Sequence, residues 1–497
     1  MCDNLRVVAG KIGTGLDIST ARKERIIQEF MAETLDITCA VSPVLDTGFI
    51  PSVLWNRAYC ERCEQDPGSS PIDIALCRPD GTCFVHRTKV LPHAGENLDI
   101  NNKYVERLVK FLLWQKGGSR ITIGGNDAIG NMVAEAYSPD GSQSFDFDIM
   151  GRRMFLEPMT VVSCPLEEVP EPHEEELALG RNLDGCRIGF DLGGSDRKAA
   201  AVIDGKVVFS EEIEWDPYFQ HDPQYHYDGI QDSLRRAAEH LPRVDAIGGS
   251  AAGDYVNNEV RVASLFRGLS ETDFDNHARR IFLRLKEDWG NIPFEVANDG
   301  EVTALAGSMS LNSNAVLGIA MGTSQAVGYC DPGGFITCGL NELAFAPIDY
   351  RDDAPADEWS GDIGCGVQYF SQQGIARLVP AAGIDLPGDM PLAERLVAVQ
   401  DLMKQGDDRA RRIYETTGTY FGYALASYAE FYEIRHLLLL GRVTSGEGGQ
   451  IIIDKANEVL SAEFAELRES LNISTPDEQL KRHGQAIAAA SLPKIGG

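Results

Sequence analysis

The sequence predicts an α/β protein of parallel-rich sheets covered by helices and built from more than one unit. Three observations carry this reading. Apolar strand-like runs alternate with helical stretches, a proline- and acid-rich segment at 164–185 interrupts that alternation, and two apolar strands run into glycine turns that lead back to strands. A chain of 497 residues exceeds one ordinary core, so two or three units of about 150 to 200 residues follow. Hydrophobic residues make up 43% and charged residues 24%, values of a globular rather than a disordered chain.

The elements follow in order. "STARKERIIQEFMAETLD" has helical spacing, "PIDIALCRPDGTCFVHRTKVL" reads as two strands around a Pro-Asp-Gly turn, "KYVERLVKFLLWQKGG" is a helix closed by glycines, and "RITIGGND" is a short strand. Beyond the 164–185 break, "RIGFD" is a strand, "KAAAVIDGKVVFSEEIEW" a hairpin, "YDGIQDSLRRAAEHL" a helix and "VDAIGGSAAG" a strand ending in small residues. The spans 74–124 and 201–248 share this order at nearly equal length, which reads either as a degenerate repeat or as the common look of two α/β segments. After residue 290 come "PFEVAND", the helix "GEVTALAGSM", the strands "AVLGIAM" and "SQAVGYC", helix from about 393 to 432, the strand "HLLLLGRV" and the helix "QIIIDKANEVLSAEFAEL".

The net charge of −30 excludes polyanion partners, because nucleic-acid binding draws on Lys and Arg against phosphates. Neither nucleic acid nor an anionic membrane is an expected partner. With no basic leader and no uninterrupted apolar run of about 18 residues, a cytoplasmic location is expected. Eleven irregularly spaced cysteines read as reduced thiols rather than a disulfide framework, and the Cys60–Cys63 pair has no second pair nearby to complete a metal site.

The chemistry concentrates in three short stretches. "DLGGSDRK" turns from a strand through Gly193, Gly194 and Ser195 into another strand; glycines there let backbone N–H groups approach phosphate oxygens, and Asp191 at the strand tip suits Mg²⁺ held through water. "LGIAMGTSQAVGYC" repeats the device at Gly322, Thr323 and Ser324, so two such turns suit a nucleotide between two lobes. Neither is a Rossmann or Walker turn, since both of those open directly into a helix. In "FEVANDGEVTALAG", Asn298 and Asp299 lie where a buried strand gives way to a helix starting near Gly300. A carboxylate there either accepts the proton of an attacking hydroxyl or caps the helix.

These stretches in this order resemble the ROK (repressor, open reading frame, kinase) group of sugar kinases and regulators, over about 186–490. "DLGGSDRKAAAVID" is similar to its first phosphate motif, "VANDGEVTALAG" to its sugar-binding and catalytic segment and "GTSQAVG" to its second phosphate motif. "GCGVQYFSQQGIARL" looks like a family helix, and "FGYALASYAEFYEIRHLLLLGRVTSG" resembles its adenosine-contacting region. The resemblance implies a two-lobed actin-like ATPase (ribonuclease H-like) fold with an additional N-terminal α/β domain: residues 1–180 as that domain, 186–300 as the first lobe and 301–497 as the second. It implies ATP and Mg²⁺ as cofactors and a small-molecule sugar as substrate, with a homodimer left open. Asp191, Gly193, Gly194, Ser195, Gly322 and Thr323 would surround the phosphates, and Gly441, Ser445 and Gly446 the adenosine. Asn298 and Glu342 would hold sugar hydroxyls, and Asp299 would be the base.

The sequence also departs from that pattern. Phe345 replaces a family histidine, Val367 replaces a glutamate, and Glu358 and Ser360 stand where zinc cysteines would be, leaving only Cys365, so no structural zinc is expected. Ser250 and Asn257 are candidates to replace the lost sugar contacts, and Arg267 either does so, favouring an anionic sugar, or is a surface residue. The readings are an ATP-dependent sugar kinase, a catalytically degenerate nucleotide- or sugar-binding protein, and a sugar-sensing repressor. The last lacks an evident recognition helix or basic surface in the first 180 residues.

Overall fold

The computed structural model describes residues 35, 37–174, 179–337, 339–475 and 484–496. The helix expected at "STARKERIIQEFMAETLD" lies almost wholly outside them. The first described part opens with helix α1 (Ser52–Gln65), followed by the hairpin β1 (Ser70–Cys77) and β2 (Cys83–Val90), helix α2 (Asn97–Lys116), β3 (Arg120–Gly124), α3 (Asp127–Ala136) and β4 (Thr160–Cys164). The sheet order is β2-β1-β3-β4, with β1 antiparallel to both neighbours and β3 parallel to β4.

A second sheet holds β5 (Cys186–Leu192), β6 (Asp196–Ile203), β7 (Lys206–Glu214), β8 (Ala246–Ala251) and, past the small hairpin β9 (Asp254–Val256) and β10 (Glu259–Val262), β11 (Phe294–Asn298). Helix α4 (Pro223–Ala238) links β7 to β8, and α5 (Ile281–Asp288) precedes β11. The order β7-β6-β5-β8-β11, an antiparallel meander flanked by two strands parallel to β5, is the ribonuclease H-like topology. Every residue of β5 is buried, as a central strand covered on both faces requires, whereas β7 alternates as an edge strand does. The first sheet shows the strand directions of β7, β6, β8 and β11, with no counterpart of β5 among the described residues.

Helix α6 (Asp299–Leu311) leads from β11 into the third sheet, β12 (Val316–Met321) and β13 (Gln325–Cys330). Helices α7 (Gln372–Ala381), α8 (Leu392–Lys404) and α9 (Asp408–Tyr428) then precede β14 (His436–Leu440), α10 (Glu447–Glu463) and β15 (Asn472–Ser474). The order β13-β12-β14-β15 repeats the same topology, with Ile336 bridging antiparallel to Cys330 where a third meander strand would stand. The final helix α11 (Gln485–Ala490) returns to the second sheet. It packs so closely that a Cβ on Gly248 would lie 1.7 Å from the Ala489 carbonyl oxygen. The two lobes therefore have the actin-like ATPase fold, and this α-helical return ties the chain's end to the first lobe.

The N-terminal sheet is not a separately cored unit. Its buried residues, among them Trp55, Leu112, Trp114 and Met150, form one hydrophobic cluster with Leu317, Phe345, Val367, Tyr420 and Leu439 of the last lobe. The break at 164–185 is likewise pinned: Leu179 bridges Ile336, and the Arg181 guanidinium donates to the Gly334 carbonyl at 2.7 Å and the Asn314 side chain at 2.7 Å. The reduced-thiol reading needs correction at one place. Cys77 and Cys83 form a disulfide, because the tight Asp80–Gly81 turn sets them directly opposite each other across the hairpin. Among the described residues no helix is long and apolar enough to cross a membrane.

Candidate functional site

Asp191 is the penultimate residue of β5, and its neighbour in register on β8 is Ser250. The Ser250 hydroxyl donates to Asp191 Oδ1 at 2.7 Å, while Lys198 Nζ stands 3.9 Å from Oδ2 and 3.1 Å from the Asp196 carboxylate. Burial pushes the Asp191 carboxyl up to about 6, against the pull of the Ser250 hydrogen bond, and the charge of Asp299 adds to the rise. The two carboxyls therefore sense one another across a sheet whose parallel strands end side by side.

Asp299 opens α6 at the end of β11. The sequence left open whether it caps the helix; the cap is Asn298, whose Oδ1 accepts from Gly300 N at 2.7 Å and whose Nδ2 donates to the Gly253 carbonyl at 2.9 Å. This frees Asp299 for other work, its Oδ1 accepting from Gly300 N at 2.9 Å. Its carboxyl is pushed up, chiefly by burial. Behind it Gln485 of α11 donates to Ser250 Oγ (3.3 Å), the Asp299 carbonyl (3.4 Å) and Thr303 Oγ1 (3.2 Å), tying both carboxyl-bearing strand ends to one side chain.

Glu342 is brought to the same place from the last lobe. Its carboxyl hydrogen-bonds that of Asp254, which begins the β9–β10 hairpin of the first lobe, and senses Asp299. Burial pushes Asp254 up to about 7, and burial together with the Asp254 and Asp299 charges raises Glu342. Neither Asp254 nor Gln485 was singled out from sequence. Asp254 sits in a three-residue strand without periodicity, and the only hint at Gln485 is the small-residue run Ala486–Ala490 that lets its helix approach.

The two glycine turns differ in the room around them. Gly193 N donates to the Asp196 carbonyl at 2.9 Å and its own carbonyl accepts from Trp215 Nε1 at 2.8 Å; Gly194 lies against Tyr218 with no room for a Cβ; and Ser195 is exposed. At the second turn Gly322 N donates to the Ser324 carbonyl at 2.8 Å, with Thr323 exposed and only that carbonyl oxygen within 4 Å of a Cβ position. Gly441 follows β14 at φ 98°, where a Cβ would strike the Met321 carbonyl, and exposed Ser445 and Gly446 precede α10, with open space at Gly446. Glycine is thus required by conformation at 441 and leaves free volume at 322 and 446. These are features a phosphate- and nucleoside-binding edge needs. A magnesium ion held by Asp191 and ligand phosphates fits this set, since that ion favours few carboxylates and keeps part of its water. Among the described residues no group of three or more His, Cys, Asp or Glu side chains forms a metal cage.

Several expected substrate contacts are placed differently. Ser250 is fully buried and committed to Asp191. Asn257 is exposed at the tip of the β9–β10 hairpin at φ 54°, a conformation Asn adopts readily, so the turn accounts for it; it is Asn258 that anchors the hairpin, accepting from Val296 N at 2.7 Å. Arg267 lies 3.9 Å above the Tyr218 ring and so is engaged in a cation–π contact rather than free for an anionic sugar. Phe345 stacks on Trp114 at 4.2 Å and Val367 is buried in the shared core. Glu358 is exposed, and the buried Cys365 thiol, pushed up to about 12 by burial, lies 3.9 Å from Asp362 oxygens.

Fold and site thus define a two-lobed actin-like ATPase architecture with carboxyls gathered where its lobes meet. No protein-family model and no curated protein matches the sequence. Among solved structures the chain is similar to the ROK hexokinase from Thermus thermophilus, at 18% identity over 61% of this chain and 96% of that one, with a TM-score of 0.47. It is also similar to a ROK family glucokinase from Streptomyces griseus in complex with glucose and AMPPNP (20% identity, 62% and 98% covered, TM-score 0.45). A third likeness is to a ROK family transcriptional regulator, a homolog of the E. coli MLC protein (17% identity, 62% and 79% covered, TM-score 0.45). The fold itself rests on the strand orders above.

Proposed function

We propose that the protein transfers a phosphoryl group from ATP to a hydroxyl of a sugar or sugar derivative. The observation that carries this is the placing of two carboxyls at the same end of one sheet: Asp191 near the end of β5, oriented by Ser250, and Asp299 just past β11, its carboxyl accepting from an N–H at its helix start. Asp299, its proton affinity raised by burial, takes the proton of the attacking hydroxyl, which is the role phosphoryl transfer asks of a base. Asp191 holds Mg²⁺ when the ion is bound, and that ion would offset the charge of the phosphates. Gly193, Gly194, Ser195, Gly322 and Thr323 orient the phosphates, Gly441, Ser445 and Gly446 border the adenosine, and Glu342 with Asp254 recognises hydroxyls beside Asn298. The substrate is a small molecule. A net charge of −30 speaks against nucleic acid, and a cytoplasmic location belongs to the same proposal.

One observation favours a second reading, a sugar-binding protein without transfer: Asp254 and Glu342 satisfy each other across the acceptor side. Incubating the protein with ATP, Mg²⁺ and a broad sugar panel while following ADP release separates the two. Sugar binding by calorimetry without ADP release would select the second.

A further inference from the structure

The turn that carries Glu342 has no helix or strand of its own to set its position. It is held instead by α2 of the N-terminal part. Leu340 N and Asn341 N donate to the Gln115 carbonyl at 2.9 and 3.1 Å, and Glu342 N donates to the Trp114 carbonyl at 3.0 Å. These carbonyls belong to the last turn of α2, whose acceptors have no intrahelical partner, so the acceptor turn completes the helix end and the helix end fixes the turn. Side chains on the same helix reinforce the hold. Trp114, 1% exposed, stacks on Phe345 at 4.2 Å, and Lys110 and Arg107, one and two turns earlier, both bind Asp362 at 3.0 Å.

The N-terminal part also reaches the opposite wall. Its π-helical turn Ile149–Phe155 packs against β10, the strand that closes the hairpin begun by Asp254. From inside the last lobe the turn is supported by Tyr432, which donates to Asn341 at 2.6 Å, by Asn341, which donates to buried Glu301 at 2.6 Å, and further along by Val367 N, which donates to the Ala344 carbonyl at 2.9 Å.

We infer that α2 is the positioning element of the acceptor site, with Trp114 the positioning residue that sets Glu342 against Asp254. This rests on the phosphoryl-transfer reading, because a displacement of about 1 Å in a recognition group matters about a hundredfold only where geometry governs a reaction. The test compares Trp114→Ala and Trp114→Phe in the full chain. With an acceptor found in the sugar panel, Trp114→Ala raises the acceptor KM about tenfold while the ATP KM stays within about twofold, and Trp114→Phe restores the acceptor KM. Equal rises in both KM values, or no change in either, would overturn the inference. Where the wild type transfers to no sugar, the kinase reading falls and amide exchange at 340–342 decides. Faster exchange in Trp114→Ala than in Trp114→Phe supports positioning, and equal exchange overturns it. Should Trp114→Ala fail to fold, Phe345→Leu, which removes the stack from the other side, is read by the same measurements.

Discussion

Asp191 changes ionisation near pH 6, because burial raises its carboxyl there and the Ser250 hydrogen bond only partly offsets the rise. Its ionised form is the one that suits a cation, so kcat/KM is expected to fall as pH drops through about 6, and Asp191→Asn should abolish activity across the whole pH range. A flat profile from pH 5 to 8 would remove Asp191 from the metal role. Asp191 and Asp299 were legible in sequence because each stands at the end of a strand-forming pattern with a chemical reason there, whereas Glu342 came only from the family resemblance. Asp254 and Gln485 were not, since their roles arise only when segments some 90 to 235 residues apart meet. Ser250 was legible as a polar residue in the right strand but not as a partner of Asp191, a pairing that depends on the β5–β8 register.

At the scale of elements, α2 carries the most consequential contacts. Lys110 and Asp146 are both fully buried, 2.9 Å apart, and Asp362 lies 3.0 Å from the same ammonium. Burial alone would raise the Asp362 carboxyl, but Lys110 and Arg107 outweigh it and hold it down to about 2. A carboxyl depressed on folding contributes stability that is complete above its unfolded value near 4 and is lost as pH falls through about 2. Lys110→Met leaves two buried carboxylates short of a partner and is expected to cost about 3–5 kcal/mol in denaturant unfolding. The contact of α11 with β8 gives a second expectation. Gly248→Ala drives a methyl into the Ala489 carbonyl and should destabilise by about 1–3 kcal/mol, with the larger effect on Asp299 chemistry through Gln485. Helix α2 itself was readable from its apolar spacing, but its turn contacts were not, because main-chain bonds to a distant loop leave no periodic trace.

For the whole molecule, the strand and helix alternation after residue 186 was enough to anticipate sheets covered by helices, while the division into two lobes came from the family resemblance. The union of the first sheet with the last lobe was hidden. It is made by contacts such as Leu45 N to Thr416 Oγ1 and Ser52 to Ser427, each spanning more than 370 residues, and by aromatic side chains that read from sequence as any core would. Phe345 and Val367, which looked like losses from a sugar site, are better understood as the residues that seal this union. The molecule is then a two-lobed body in which the turn carrying Glu342 is held partly by the N-terminal part, and the proposal is that this body moves a phosphoryl group with Asp299 as base. The most direct measurement is ADP release from ATP and Mg²⁺ across a sugar panel, for wild type and Asp299→Asn. Transfer to at least one sugar by the wild type is expected, with a loss of about 10²–10⁴ in kcat for the variant and ATP affinity unchanged. Equal rates for the two proteins, or no transfer by the wild type to any sugar, would contradict it.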